Sequence, residues 1–389
     1  MDVFRLIGGS ESESEDGDDG VCGEEEDEKI GIEYSDVAFD EKEVEDEEDE
    51  EEAFEQRQHQ NPDDLNWKMT IPVSKKEIDG TDILALSLFV EEPRGIVPTK
   101  KKKELSKKSD DILFAFSLDN ILSKSECERL VSLAERVSKT KTYELEFTFW
   151  NRECKTEEDI RIARAYRNVD TMEFRHEAFA KLLWERIRPY LDSYEMIDLR
   201  KHNNTDPRWQ VDLEGVWDAY GTNPNILLGR YASGGHFAPH TDGYDIINFN
   251  DRSMMSIVLY LNDCPHGGGD TRFYSDKLRS NLKRDKHGRW TGTTSGLEIA
   301  TVRPDFGRAS IFFHNHMHEG VPPNPGSFKY FIRSDIMYRR RKPICTKPND
   351  IKAFELYRKA NECDIPEKSR ELFRECFRLS PELADVYGM

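Results

Sequence analysis

The chain lacks the cysteine patterns that mark disulfide frameworks and structural zinc sites. Its seven cysteines are scattered along 389 residues, and no two of them form a C-x-x-C pair. An odd, dispersed set of this kind argues against both types of site. The motifs G-x-S-x-G and H-E-x-x-H are also absent, and the G-G-G-D-T stretch at 267–271 is not followed by G-K-[ST]. Serine hydrolases, zinc peptidases and P-loop proteins are therefore not indicated.

Long apolar runs are missing as well. The longest have five residues, as in I-L-F-A-F at 112–116, and are far too short to span a bilayer. The first residues show no cationic start followed by an apolar segment, as a secretory signal peptide would. We therefore expect an intracellular protein, in the cytoplasm, the nucleus or both, with no membrane partner.

Acidic charge is concentrated at one end of the chain. The formal net charge is -21, from 77 acidic and 56 basic residues, and residues 1–60 hold 26 of the acidic and 4 of the basic ones. Residues 1–66 are predicted to be a disordered acidic tail, because like charges repel and little apolar surface can be buried. We favour a solubilising role for it, with docking to a basic partner as the alternative. The remainder is nearly neutral, which gives no clear indication of nucleic-acid binding.

The segments that follow the tail differ in pattern. Residues 67–109 are an uncertain segment that ends in a basic linker. A strand, a turn and a helix with Ser123 or Ser125 as its N-cap begin at 110, and a second amphipathic helix is predicted over 177–194. From 225 to 338, short β-rich runs alternate with turn residues, which is typical of a double-sheet jelly roll or a barrel.

These patterns predict a mainly β protein with flanking helices, of the α+β class. We expect one domain over 110–341, with a double-stranded β-helix (jelly-roll) core at about 221–341. Residues 342–389 show two amphipathic helical patterns around a turn. They predict a helical hairpin that resembles about one tetratricopeptide unit and packs on the core.

The stretch G-R-Y-A-S-G-G-H-F-A-P-H-T-D-G-Y-D, residues 229–245, gathers turn-forming residues around an H-x-D triplet. Its glycines predict a break after a strand, so His240 and Asp242 fall two residues apart on one face of the next strand end. A third ligand would complete the 2-His-1-carboxylate set that holds non-haem Fe(II). Farther along the chain, His314, His316 and His318 are spaced two residues apart, so in a strand all three would point to the same face. Periodicity alone therefore does not choose among them.

Four segments follow one another in order: F-A-F-S-L-D-N-I-L-S-K-S-E-C-E-R-L-V-S-L-A-E, R-Y-A-S-G-G-H-F-A-P-H-T-D-G, L-Y-L-N-D-C-P-H-G-G-G-D-T-R-F-Y and F-F-H-N-H-M-H-E-G-V-P-P-N-P-G-S-F-K-Y-F-I-R-S-D-I-M-Y. Together they resemble the Fe(II)- and 2-oxoglutarate-dependent dioxygenases of the prolyl 4-hydroxylase type, from about 110 to 340. The resemblance implies His318, which precedes Glu-Gly, as the second histidine ligand. It leaves His314 and His316 to support the site or the core.

The same resemblance implies the cosubstrate contacts. Lys329 would bind the 5-carboxylate of 2-oxoglutarate with Tyr260 as its hydroxyl partner, and Tyr231 would line the pocket. A buried dianion needs a paired cation and charge-assisted hydrogen bonds. Lys329 lies one residue farther from His318 than the family spacing, so Arg333, which has the same strand parity, is the alternative anchor.

The resemblance implies Fe(II), with 2-oxoglutarate and O2 as cosubstrates and L-ascorbate as a supporting reductant. The predicted activity is hydroxylation of a C–H bond, with a prolyl residue of a protein or peptide as the favoured substrate and with release of succinate and CO2. Two alternatives remain: a non-catalytic interaction protein with a degenerate barrel, and a nucleic-acid demethylase that uses the same iron chemistry. The loops at 243–253 and 275–296 are predicted to set the specificity.

Overall fold

The computed structural model describes residues 102–104, 115–141, 145–199, 211–232, 234–275, 278, 282–292, 295–363 and 365–387. The predicted acidic tail at 1–66 lies outside the described residues, as does the segment at 67–109 apart from residues 102–104. None of the described helices is long and apolar enough to cross a membrane.

Short strands make up most of the regular structure. In chain order they are β1 (Lys102–Glu104), β2 (Ala115–Leu118), β3 (Thr148–Phe149), β4 (Arg167–Asn168), β5 (Asp170–Arg175), β6 (Met196–Asp198), β7 (Val216–Thr222), β8 (Asn225–Tyr231), β9 (His236–His240), β10 (Ile246–Asn248), β11 (Asp251–Tyr260), β12 (Thr271–Tyr274), β13 (Lys283–Arg284), β14 (Trp290–Thr291), β15 (Glu298–Val302), β16 (Ala309–Phe313), β17 (His318–Gly320) and β18 (Lys329–Arg340).

The described strands form two larger sheets and one small hairpin. The first sheet has eleven strands in the order β1-β2-β16-β11-β18-β8-β5-β3, with β10 beside β11 and with β7 pairing with both β18 and β6. The second has the order β15-β12-β17-β9-β4, and β13 pairs with β14. Every pairing described is antiparallel. The prediction of a mainly β protein with helices is therefore confirmed.

One cluster of apolar side chains joins the two larger sheets. Both sheets contribute to it, and its buried members are Ala115, Val169, Tyr231, Tyr260, Phe273, Val302, Phe312 and Phe331. Burial of this much aromatic surface is a large favourable contribution to folding. The cluster lies beside the strand ends that carry the predicted site.

Three helices of the described chain lie between residues 124 and 187, and the first and third of them contribute buried side chains to a second core on the eleven-stranded sheet. Helix α1 (Lys124–Thr140) begins at Ser123, whose side chain accepts from the Glu126 backbone N–H in a capping box, so Ser123 rather than Ser125 is the N-cap. Helix α2 spans Glu157–Tyr166. Helix α3 (Glu177–Ile187) ends before the predicted position 194, and 3-10 turns follow. Pro189 lies in the first of these turns and has no N–H to continue the α-helical hydrogen bonding.

The sequence pattern places His314, His316 and His318 in a single strand, and this prediction is wrong. Strand β16 ends at Phe313, and β17 begins at His318 in the other sheet. His314 and His316 therefore lie in the turn between two strands. Parity along a single strand does not apply to these histidines, because the chain changes sheet between them.

The C-terminal segment forms three helices rather than two. They are α4 (Pro348–Asn361), α5 (Pro366–Leu379) and α6 (Pro381–Tyr387). Each begins with proline, which suits the first helical turn because its missing N–H would have no intrahelical partner there. Buried Phe354, Cys376 and Leu383 pack with Phe249 from the loop after β10. The helices are thus joined to the eleven-stranded sheet by apolar contacts.

Candidate metal centre

Three of the predicted side chains converge at one end of the five-stranded sheet. One ligand atom each from His240, Asp242 and His318 lies within 4.8 Å of the others. The Nε2 atom of His240 is 3.6 Å from Asp242 Oδ1, and Nε2 of His318 is 3.8 Å from Asp242 Oδ2. Atoms that share a metal ion have separations of this order, because each would lie about 2 Å from the ion.

Strand pairing brings the two histidines together. His318 is the register partner of His240 across β17 and β9, and Gly320 is the partner of Phe237. Between these two pairs, one residue of β17 thus faces two residues of β9, which is a β-bulge. The extra residue changes which side chains share a face, and the Phe237 ring stacks on His240 with centroids 3.5 Å apart.

Glycines bring the chain from β8 back into β9. Gly234 has φ of +72°, in the left-handed region where a side chain would be strained. A Cβ at Gly235 would lie 2.7 Å from the Cβ of Tyr231, so this position has no room for one. The predicted glycine break is therefore observed here, although Ser233 lies outside the described residues.

Backbone carbonyls orient both imidazoles. Nδ1 of His240 is 2.7 Å from the Ala238 carbonyl, and Nδ1 of His318 is 2.9 Å from the His316 carbonyl. A carbonyl can only accept, so each ring donates from Nδ1 and keeps the lone pair on Nε2. Both Nε2 atoms face Asp242, and this arrangement is typical of metal-binding histidine.

The charge states also suit a divalent cation. Burial and the neighbouring His240 ring lower the pKa of His318 to about 3, so this ring is neutral at physiological pH. Burial alone would raise the pKa of Asp242, but Arg333, His318 and His240 hold it well below its usual range. Neutral imidazole and ionised carboxylate are the forms that bind metal. These residues therefore fit the non-haem Fe(II) set.

His314 and His316 lie near this site but do not belong to the converging trio of His240, Asp242 and His318. The carbonyl of His314 accepts the Asp242 backbone N–H at 2.9 Å. Its ring nitrogens lie 2.8 Å from the hydroxyls of Ser256 and Ser253. The ring of His316 packs on Phe273 with centroids 5.1 Å apart.

Lys329 is a buried cation among aromatic rings. It is only 2% exposed, and its Nζ lies 5.2 Å from the ring centroid of Tyr231 and 5.1 Å from that of Tyr260. No carboxylate of the described residues lies within ion-pair distance of it. Burial lowers the pKa of Lys329 to about 8. A buried charge without a partner is costly, so this is a place where an anionic ligand would be favourable.

Both predicted tyrosines lie beside Lys329. The Tyr260 hydroxyl donates to Thr271 Oγ1 at 2.7 Å and is 2.8 Å from Ser310 Oγ. Tyr231 is the register partner of Lys329, and its ring lies against Gly320, where a Cβ would come within 2.6 Å of the hydroxyl. Burial raises the pKa of both hydroxyls, so they remain protonated donors.

Arg333 lies on the same face of β18 as Lys329 but has different neighbours. The β18–β8 register runs without a shift from Lys329 to Arg333, so four residues, or about 13 Å, separate them along the strand. The Nη2 of Arg333 is 3.3 Å from Asp335 and 3.8 Å from Asp242, and the side chain is 30% exposed. Arg333 already has carboxylate partners, whereas Lys329 has none within the described chain.

Arg167 is a residue of this region that the sequence interpretation missed. Its guanidinium lies over the rings of Trp150 and Phe237, at 5.0 and 4.5 Å from their centroids. It comes from β4, which pairs with β9 at the edge of the second sheet. Arg167 belongs to none of the sequence motifs. Its position beside the site follows only from the pairing of the two-residue strand β4 with β9.

A comparison with protein families gave a match. The family model described as 2OG-Fe(II) oxygenase superfamily matches residues 226–334. This range contains the converging trio, Lys329 and both tyrosines. A comparison with curated proteins gave no match.

Solved structures that resemble the chain include two hydroxylases and an epimerase. A Pseudomonas putida prolyl-4-hydroxylase is 18% identical, with TM-score 0.34 over 59% of this chain and 93% of that chain. A Trichoplax adhaerens prolyl hydroxylase in complex with a hypoxia inducible factor peptide is 12% identical, with TM-score 0.33 over 57% and 82%. The α-ketoglutarate-dependent epimerase SnoN is 12% identical, with TM-score 0.31 over 58% and 78%.

Proposed function

We propose that the chain is an Fe(II)- and 2-oxoglutarate-dependent dioxygenase whose metal ligands are His240, Asp242 and His318. Residues 226–334 form a 2OG-Fe(II) oxygenase superfamily domain, and the three side chains lie within it. The observation that carries the proposal is their convergence within 4.8 Å, with both Nε2 atoms facing the carboxylate.

Lys329 is the proposed anchor for the 5-carboxylate of 2-oxoglutarate. It is a buried cation for which the described residues supply no carboxylate partner, whereas Arg333 is already paired with Asp335. The Tyr260 ring lies 5.1 Å from the Nζ of Lys329, and the Tyr260 hydroxyl donates to the Thr271 hydroxyl at 2.7 Å. We assign Tyr231 to the cavity wall, where its ring flanks Lys329.

Bound Fe(II), with 2-oxoglutarate and O2, supplies the oxidising power that converts a C–H bond to C–OH and releases succinate and CO2. The protein's own part is positioning. The side chains of His240, Asp242 and His318 would hold the ion, the carbonyls of Ala238 and His316 orient the two rings, and the apolar cluster between the sheets excludes water. Ascorbate is proposed to support turnover.

The finer assignments are a jelly-roll core and a prolyl substrate. Two facing antiparallel sheets with the site at their strand ends support a jelly roll. The four ordered sequence motifs of the prolyl 4-hydroxylase type support hydroxylation of a prolyl residue in a protein or peptide. A degenerate barrel without activity is disfavoured, because a decayed site would have lost at least one ligand or the lysine.

Hydroxylation by the purified full chain tests this proposal. Cell proteins are incubated with Fe(II), 2-oxoglutarate and ascorbate, and with either the wild type or Asp242→Ala, and are then analysed by mass spectrometry. We expect prolyl peptides that gain one oxygen atom with the wild type alone, together with succinate. Gain of oxygen on another residue type would reject the prolyl assignment, and absence of succinate under all conditions would reject the dioxygenase.

A further inference from the structure

A chain of hydrogen bonds leads from the backbone to the carboxylate of Asp242. The Ser256 hydroxyl donates a short hydrogen bond to Asp242 Oδ2. Ser256 Oγ also lies 2.8 Å from Nδ1 of His314, and Nε2 of His314 lies 2.8 Å from Ser253 Oγ. The backbone N–H of Asp245 donates to the same Ser253 oxygen at 2.8 Å.

The chemistry of these groups fixes the direction of every bond. An ionised carboxylate can only accept, so Ser256 uses its one proton on Asp242 and must accept from Nδ1–H of His314. A neutral imidazole with its proton on Nδ1 accepts at Nε2, so the Ser253 hydroxyl donates there. Each group in the chain therefore donates to the next one in the direction of Asp242, and both ring nitrogens of His314 form hydrogen bonds.

A bulge in β11 places both serines on the same imidazole. Ser253 and Ser256 are three residues apart, so in a regular strand their side chains would lie on opposite faces. Ser253 pairs with Met337 and Met255 with Ile336, so β11 contains one extra residue between these pairs. This insertion brings the two hydroxyls to opposite edges of the His314 ring.

The turn after β16 holds this ring from several sides. His314 is completely buried, and its N–H and C=O bond to the Met254 carbonyl and the Asp242 N–H. The Tyr244 ring packs edge-on against it with centroids 5.2 Å apart. Main-chain and side-chain bonds from His314 thus converge on the same metal-binding residue.

We infer that His314, acting through Ser256, is a positioning residue that fixes the rotation of the Asp242 carboxylate. The inference rests on the proposed metal site, and it concerns a residue outside the ligand set. A carboxylate held by such a donor keeps one orientation before metal binds, so less freedom is lost on binding. Groups that orient metal ligands change metal affinity or activity by about 10- to 100-fold when they are removed.

Core packing alone is the competing explanation, and isosteric variants separate the two. The amide nitrogen of Asn can occupy the place of Nδ1, so His314→Asn retains the donor to Ser256. The amide of Gln reaches the place of Nε2, so His314→Gln loses that donor. His314→Leu fills the space with no donor. If only packing matters, the variants will follow their volume rather than their hydrogen bonding.

The test is Mn(II) affinity of the full-length protein, measured by titration, with kcat and KM for 2-oxoglutarate as the second readout. We expect His314→Leu and His314→Gln to weaken Mn(II) binding about tenfold and to lower kcat, and His314→Asn to stay within about threefold of the wild type. The KM for 2-oxoglutarate should change little, because Lys329 is untouched. Equal Mn(II) affinity in the Asn, Gln and Leu variants would overturn the inference.

Ser256→Ala provides a variant of nearly unchanged volume, should the His314 variants fold poorly. It removes the donor to Asp242 and leaves the imidazole in place, so we expect the same tenfold weakening. Unchanged Mn(II) affinity in this variant would also overturn the inference. If the wild type itself bound no Mn(II), the metal site would be rejected first, so failure of the two claims is distinguishable.

Discussion

Lys329 lies directly opposite Tyr231 in the antiparallel ladder between β18 and β8, and its Nζ is 5.2 Å from the centre of the Tyr231 ring. The ammonium group has aromatic rings of three residues around it and no carboxylate within ion-pair distance among the described residues. Cation–π contacts offset only part of the cost of burying this charge. The remaining cost is what an anionic cosubstrate would relieve.

Removing this charge should weaken 2-oxoglutarate binding more than removing that of Arg333. We expect Lys329→Ala to raise the KM for 2-oxoglutarate at least tenfold, because the countercharge of a buried carboxylate is lost. Arg333→Ala serves as the matched control on the same strand face, and its effect on this KM should be smaller. The measurement is succinate release across a 2-oxoglutarate titration. A larger KM rise in Arg333→Ala would move the anchor four residues along β18.

In the absence of cosubstrate, the buried charge of Lys329 should lower the free energy of unfolding relative to a variant with an apolar residue at this position. Burial lowers the pKa of Lys329 from 10.5 to about 8, so the unfolded chain binds more protons between these values. The free energy of unfolding should therefore rise as pH increases from 8 to 10.5, by on the order of 3 kcal/mol from this group. Lys329→Met should remove this contribution and be more stable than the wild type at pH 7.

Urea unfolding of the purified protein at several pH values, without 2-oxoglutarate, checks this expectation. Lys329→Met should show the flatter pH dependence above pH 8. Saturating 2-oxoglutarate should stabilise the wild type and have much less effect on the variant. A Lys329→Met protein that is less stable than the wild type at pH 7 would show that the ammonium already has a favourable partner.

Glu319, which follows His318, should matter for stability through a different set of contacts. Its buried carboxylate accepts from the Tyr274 hydroxyl at 2.6 Å, the Thr291 hydroxyl at 2.5 Å and the Gly292 N–H at 3.1 Å. It thereby ties the segment after β13 to β17, the strand that carries the proposed metal ligand His318. Glu319→Ala leaves these donors unsatisfied and should lower the free energy of unfolding by about 3 kcal/mol.

Glu319→Gln is the matched control, because an amide keeps an acceptor oxygen in the same shape. We expect it to be intermediate between the wild type and Glu319→Ala in urea unfolding. Protection of the Gly292 amide from hydrogen exchange should fall in the alanine variant. Equal stability of all three proteins would mean that this carboxylate contributes nothing to holding the segment.

The sequence allowed the H-x-D pair, the mainly β architecture and the sheet strands around the site to be predicted. It did not allow a choice among the three downstream histidines from periodicity, because the chain changes sheet between Phe313 and His318. Motif resemblance implied His318, and this is the histidine that lies opposite His240. The bulges in β9 and β11 leave no pattern in the residues themselves, since each depends on pairing with another strand.

The cation that binds the 2-oxoglutarate carboxylate was also difficult to choose from the sequence. Lys329 and Arg333 have the same strand parity, and the structure places them on one face of β18. Their difference lies in the neighbours: Asp335 and Asp242 pair with Arg333, and aromatic rings surround Lys329. Such neighbours come from several strands, so no spacing along one segment could reveal them. Arg167 was missed for the same reason.

Metal stoichiometry tests the central claim most directly. Purified full-length protein is freed of metal, titrated with Mn(II) under anaerobic conditions, and compared with Asp242→Ala, His318→Ala and His316→Ala, with circular dichroism to show that each variant is folded. We predict one tight site per chain in the wild type and in His316→Ala, and none in the other two. Retention of the site in His318→Ala, or its loss in His316→Ala alone, would contradict the assignment of the metal ligands.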